Sequence, residues 1–147
     1  MHLLENIKEA FRSIKSNMLR TILNDDAKWR QLLRGLGQTF YHQTVTTAQI
    51  INYFNQQTGR DLTPIFDQYL RHASLPVLEM RVVQNQLLAR WIANAPGFAM
   101  PVRVRTKGSE YQFITPTTRL QPVALPGATR DNVEVDTFNY YVGVLVE

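Results

Sequence analysis

The hydrophobic period of this chain changes once, near Leu75, and that change limits the folds open to it. Before Leu75, apolar residues recur every three or four positions, the spacing of one helix face. After it, they alternate with polar residues over short runs, the spacing of a half-buried strand. Helices that all precede strands argue for α+β architecture or two separate units, and against a doubly wound sheet.

The first half reads as four helices. Leu4, Ile7, Phe11, Ile14, Met18 and Ile22 lie on one face of a predicted helix from Leu3 to Leu23. "NDD" (Asn24 to Asp26) breaks it, and Asp25 and Asp26 are expected to cap the next. That second helix carries Trp29, Leu32, Leu33 and Leu36, with a bend or pause expected at Gly35 and Gly37. Thr46 or Thr47 is the expected cap of a third helix with Ile50, Ile51 and Phe54 facing inward, and Gly59 suits its left-handed end. In "DLTPIFDQYLR", Asp61 or Thr63 is the expected cap, Pro64 fits the first turn, and Ile65, Phe66, Tyr69 and Leu70 form a stripe. Pro76 favours an extended Leu75, so this last helix must end before it.

The second half reads as about seven strands separated by Pro, Gly and Asn. "VLEMRVV", "QLLARWIA" and "PVRVRT" alternate cleanly, and "YQFIT", "RLQPVAL", "VEVD" and "YYVGVLV" follow. Pro101 and Pro122 suit strand starts or edges. Strands at this spacing with turn signals between them predict an antiparallel β-sandwich. The expected division is a helical unit over 1–74 and an immunoglobulin-like sandwich over 75–147.

Composition narrows the functions. Lys and Arg exceed Asp and Glu, for a net charge of +4, but the charges are scattered, so a solvated surface is expected and not a nucleic-acid face. With no cysteine among 147 residues, disulfides and thiolate metal sites are excluded. No apolar run approaches the ~18 residues of a membrane span. Glu5, Lys8 and Glu9 interrupt the N-terminal apolar residues, so no signal peptide is expected there, and compartment is not readable.

No catalytic constellation stands out. His2, His42 and His72 are far apart in sequence, and none belongs to an H-E-x-x-H pair. His42 and His72 are expected at helix ends, where a cation offsets the dipole. Asp67 is expected to pair with Arg60 or Arg71 on the surface. Gly35 to Gly37 lacks the strand, spacing and lysine of a phosphate loop. Ser13, Ser16, Ser74 and Ser109 lie in no G-x-S-x-G elbow. Arg81, Arg90, Arg103, Arg105 and Arg119 are expected on the solvent face of the sheets, where single-stranded nucleic acid is the lesser alternative. No catalytic, cofactor-binding or metal-ligating residue is therefore expected.

The order of residues from Asn24 to Val82 resembles the end of the catalytic unit of gluzincin aminopeptidases, the aminopeptidase N family. The matching positions are Met18-Leu19, Asp25-Asp26, Trp29, Leu32-Leu33-Arg34, Phe40-Tyr41, Thr46-Thr47, Gly59, Asp61-Leu62, Phe66, Gln68-Tyr69-Leu70, Pro76 and Leu78. In that family a β-sandwich follows, as the alternating strands here imply, and "NYYVGVLVE" resembles the ends of bacterial members. The zinc motif and substrate loop of the family are absent from this chain. The intermediate-stabilising tyrosine aligns near Arg12, where there is none. The resemblance therefore implies a noncatalytic C-terminal portion of an aminopeptidase-like protein, with zinc expected only in a full-length relative. It further implies a scaffold or interface role, partnered by the catalytic lobe of a longer chain or by another protein. The alternative is a free-standing module that binds a peptide or protein at the sandwich loops or at the helix–sheet seam.

Overall fold

Capping chemistry sets the helix boundaries. The computed structural model describes residues 16–41 and 46–147, and within them the helices are α1 (Ser16–Leu23), α2 (Asp26–Thr39), α3 (Thr47–Thr58) and α4 (Thr63–Arg71). The start of the helix expected from Leu3, with His2, Arg12 and Ser13, lies outside the described residues, as does His42. Asp25 is extended and accepts a hydrogen bond from the Lys28 amide at 3.0 Å, which satisfies one orphan donor of α2. Asp26 does not cap; it binds Arg20 through both carboxylate oxygens. Thr46 and Gln49 form a reciprocal capping box at the start of α3. Gly59 closes α3 at φ +68°, where a Cβ would be strained. Asp61 acts one residue before the α4 N-cap, accepting from the Thr63 amide at 3.1 Å.

The expected pause at Gly35 and Gly37 does not occur: α2 runs unbroken through both. Gly35 is instead a contact point. A Cβ there would sit 2.3 Å from the Tyr53 hydroxyl, which donates to the Leu32 carbonyl at 2.9 Å. The missing side chain lets α3 lie close against α2.

The second half forms β1 (Val77–Val83), β2 (Gln86–Ile92), β3 (Val102–Thr106), β4 (Gln112–Ile114), β5 (Gln121–Val123), β6 (Val133–Val135) and β7 (Gly143–Val146). They make two sheets, ordered β5-β2-β1-β7 and β4-β3-β6. The protein is thus α+β, four described helices followed by a seven-stranded β-sandwich. A two-residue turn joins β1 to β2, with Gln84 and Asn85 both at positive φ, as such hairpins require. One strand departs from the antiparallel expectation: β7 runs parallel to β1, with Val77 opposite Gly143 and Met80 opposite Val146. The chain reaches β7 from β6 of the other sheet, so it enters at the same end as β1. β4 also departs from simple alternation, burying Ile114 and leaving Phe113 exposed.

Buried residues from both halves form one continuous core, from Met18 and Leu32 through Phe54 and Phe66 to Leu78, Trp91, Val102 and Tyr140. Phe54 sits amid Trp29, Tyr53 and Phe66, with ring centroids 5.6 to 6.3 Å away. Trp91 packs edge-on to Phe98 and donates its indole N–H to the Met100 carbonyl at 3.0 Å.

Polar bonds also cross the seam between helices and sheets. Gln68 is wholly buried. Its Nε2 donates to the Ser74 carbonyl and Asn94 Oδ1, while its Oε1 accepts from the amides of Asn94 and Ala95. Tyr69 donates its hydroxyl to the Tyr141 carbonyl at 2.8 Å.

The outer face of the first sheet carries an ion-pair chain. Glu79 is 3% exposed and directly opposite Arg90 in the β1–β2 register. It accepts from Arg90 and Arg81, and Arg81 Nε also lies 2.9 Å from Glu147, although its N–H is not aligned on that oxygen. The hydrogen bond from Arg90 is the main cause holding the Glu79 carboxyl below its usual 4.5, opposed by burial and helped by Arg81. A depressed folded pKa stabilises the fold above 4.5, and this contribution is lost as pH falls through the folded value. Urea titrations between pH 6 and pH 2 should therefore show a smaller acid loss of stability in Glu79→Gln than in the wild type. Equal slopes would remove Glu79 from the acid response.

Candidate functional site

A recess at the helix–sheet seam follows from how α1 ends. The Asn24 amide donates to the Arg20 carbonyl at 3.0 Å, and Asn24 adopts φ +52°, turning the chain sharply into α2. The Arg60 guanidinium donates to the Ile22 carbonyl at 3.2 Å, a cation at the negative end of a helix. This corner stands over the start of β3 and leaves a depression on each side of Asn24.

One depression, about 470 Å³, is lined by Arg20, Thr21, Asn24, Asp26, Arg103, Phe138 and Asn139. The other, about 570 Å³, is lined by Ile22, Leu23, Asn24, Arg60, Pro101, Phe113 and Thr115. Both are open, and they meet at Asn24 along the helix–sheet seam. Phe138 is 84% exposed at one end, and Phe113 is partly exposed at the other. The arginines are engaged. Arg20 holds Asp26 at 2.7 and 2.9 Å, which raises the guanidinium pKa and lowers that of the carboxyl, chiefly through their hydrogen bond. Arg103 lies 3.6 Å from Asp136 and 5.1 Å from the Tyr111 ring centre. Such a wall suits apolar and hydrogen-bonding contacts; among the described residues that line it, none forms an acid–base pair.

No protein-family model and no curated protein matches this chain.

The residues singled out from the sequence do not converge. His72 is exposed just beyond α4, as expected of a helix-end residue. Asp67 pairs with Arg71 at 3.5 Å, and Arg60 turns to Ile22 instead. The Ser74 carbonyl serves Gln68, and the Ser109 hydroxyl meets Thr106 at 2.9 Å. Arg105 stacks over Tyr111 at 4.3 Å and lies 3.6 Å from Glu134. Most of the sheet arginines thus pair with acids of neighbouring strands. Among the described residues, no three of His, Asp, Glu and Cys come together as metal donors. The described residues offer no donor set that fits a zinc centre.

Three buried polar residues escaped the sequence reading: Gln68, Glu79 and Asp136. Gln68 was within reach, because it stands three positions after Ile65 on the inward side of its helix. Glu79 faces Arg90 across the strand pair, a match visible only once the register is known. Asp136 accepts from the amide and side chain of Asn139, three residues on, and so braces the turn between β6 and β7. Tyr140 follows it, buried, with no partner among the described residues for its hydroxyl. Burial is the first cause that raises its pKa, and the Asp136 charge the second.

Proposed function

We propose that this chain is a noncatalytic C-terminal portion of a zinc aminopeptidase-like protein, serving as scaffold and interface for a catalytic lobe. The observation that carries this reading is what the family-like positions do. Asp25 and Thr46 cap helices, and Gly59 ends one. Leu32, Phe66 and Leu78 fill the core, and Gln68 bridges the helix–sheet seam. These seven positions perform structural tasks, which is what a buttress behind an active site needs. The absence of H-E-x-x-H from the sequence supports the noncatalytic part.

The test uses the purified chain with added zinc, measured for metal content after dialysis and for release of aminoacyl arylamides. The expected result is no retained zinc and no release beyond buffer. Stoichiometric zinc together with chelator-sensitive release would overturn the proposal.

A second reading, a free-standing peptide-binding module, is favoured by one observation. The described helices present few large apolar side chains to solvent, Leu33 within α2 and Tyr41 just after it, while the cleft beside Asn24 is open. A buttress should bind a separately produced lobe of an aminopeptidase-like protein through its helices. A module should bind short peptides in the cleft.

A further inference from the structure

Each sheet has two edges, and an edge strand exposes a row of unpaired backbone groups unless something blunts it. Three of the four edges here are blunted. β5 contains Pro122, which has no N–H to offer. β4 is three residues long and is soon followed by Pro116. β6 is also three residues long and carries Glu134, which is paired to Arg105. Among the described residues, β7 has none of these devices and pairs only with β1. Its sequence, Gly-Val-Leu-Val, holds no charge and no proline, and Val144 and Leu145 are 41% and 43% exposed.

The direction of its free groups follows from its hydrogen bonds. The Gly143 amide donates to Pro76 and the Glu147 amide to Met80, so positions 143, 145 and 147 face β1. By the period of two, the N–H and C=O of Val144 and Val146 point outward.

We propose that β7 is a self-association edge, pairing antiparallel with β7 of a second copy about a two-fold axis at Leu145. The strand is complementary to itself in that register. Val144 meets the partner copy's Val146 in a hydrogen-bonded pair, and Val146 meets its Val144. All outward groups of both strands are then satisfied. Leu145 meets its own copy across the axis, covering the exposed side chains. Glu147, the nearest charge, falls opposite the second copy's Gly143 and meets no like charge, and the Arg81 guanidinium lies 2.9 Å from it. The two four-stranded sheets become one sheet of continuous order. A C2 contact of this kind is isologous and closes at two copies. This inference is independent of the aminopeptidase-like reading.

The test begins with sedimentation of the full chain over a wide concentration range. The wild type should move toward twice the monomer mass. Leu145→Lys, which places two cations on the axis, should need about tenfold or more protein to do so. Val146→Pro removes an outward donor without touching a bond to β1 and should weaken pairing likewise. Circular dichroism checks that each variant is folded. Because the chain has no cysteine, Leu145→Cys introduces a unique thiol. Leu145 pairs across the axis without hydrogen bonds, at a Cα separation of about 4.5 Å, within disulfide reach. It should therefore oxidise to a covalent dimer far faster than Val144→Cys, whose copies lie diagonally apart. A wild type that stays monomeric throughout overturns the proposal. So does dimerisation unaffected by the variants, or equal cross-linking of the two cysteine variants.

Discussion

Gln68→Leu should lower stability by about 3 kcal/mol and the melting midpoint by roughly 6–12 °C. Leucine removes all four hydrogen bonds of a side chain that water does not reach. The Ala95 amide bears most of the loss, since Ala95 is 2% exposed and has no route to solvent. Asn94 and Ser74 are exposed and recover part of theirs from water. A leucine that cost under about 0.5 kcal/mol would mean that the seam is held by packing alone. Gln68→Glu separates the two contributions further. Its carboxylate keeps the acceptor for both amides but faces the Ser74 carbonyl and Asn94 Oδ1 with no proton to give. Its cost should shrink as pH falls and the acid gains a donor. Melting curves of both variants between pH 4 and pH 8 measure this directly.

Periodicity reveals some of this structure and conceals the rest, for physical reasons. The helices with caps were readable because capping is local: Asp25, Thr46 and Gly59 act within three or four residues of themselves. The alternation of β2 and β3 was readable because each has one buried face, whereas β1 also buries Glu79 on its outer face. The parallel placement of β7 was not readable, because it depends on a connection between sheets and not on the residues of the strand. Gly35 misled for a similar reason: its role is defined by Tyr53, eighteen positions away, and not by helix propensity. The cleft beside Asn24 joins residues from both ends of the chain, so no spacing rule could assemble it.

Phe54→Ala is the sharper probe of whether 1–74 and 75–147 unfold as one body. Phe54 is 1% exposed and touches aromatic side chains of α2 and α4. Truncating it opens a cavity among three helices and should cost about 3–5 kcal/mol. The chain holds two tryptophans, Trp29 in α2 and Trp91 in β2. Trp91→Phe leaves a reporter in the helices, and Trp29→Phe leaves one in the sandwich. Each background should show one fluorescence transition in urea, and Phe54→Ala should move both midpoints down together. The reason is that the buried cluster runs through both halves, while Gln68 and Tyr69 bond across the seam. Opening the helices would expose the sandwich side of that shared core and strand the Ala95 amide. If the Trp29 signal moved and the Trp91 signal did not, the sandwich would be stable alone, and the boundary expected at residue 74 would divide two independent folding units. If they move together, the helices and the sandwich are two layers of one cooperative core, and a partner that grips either layer stabilises both.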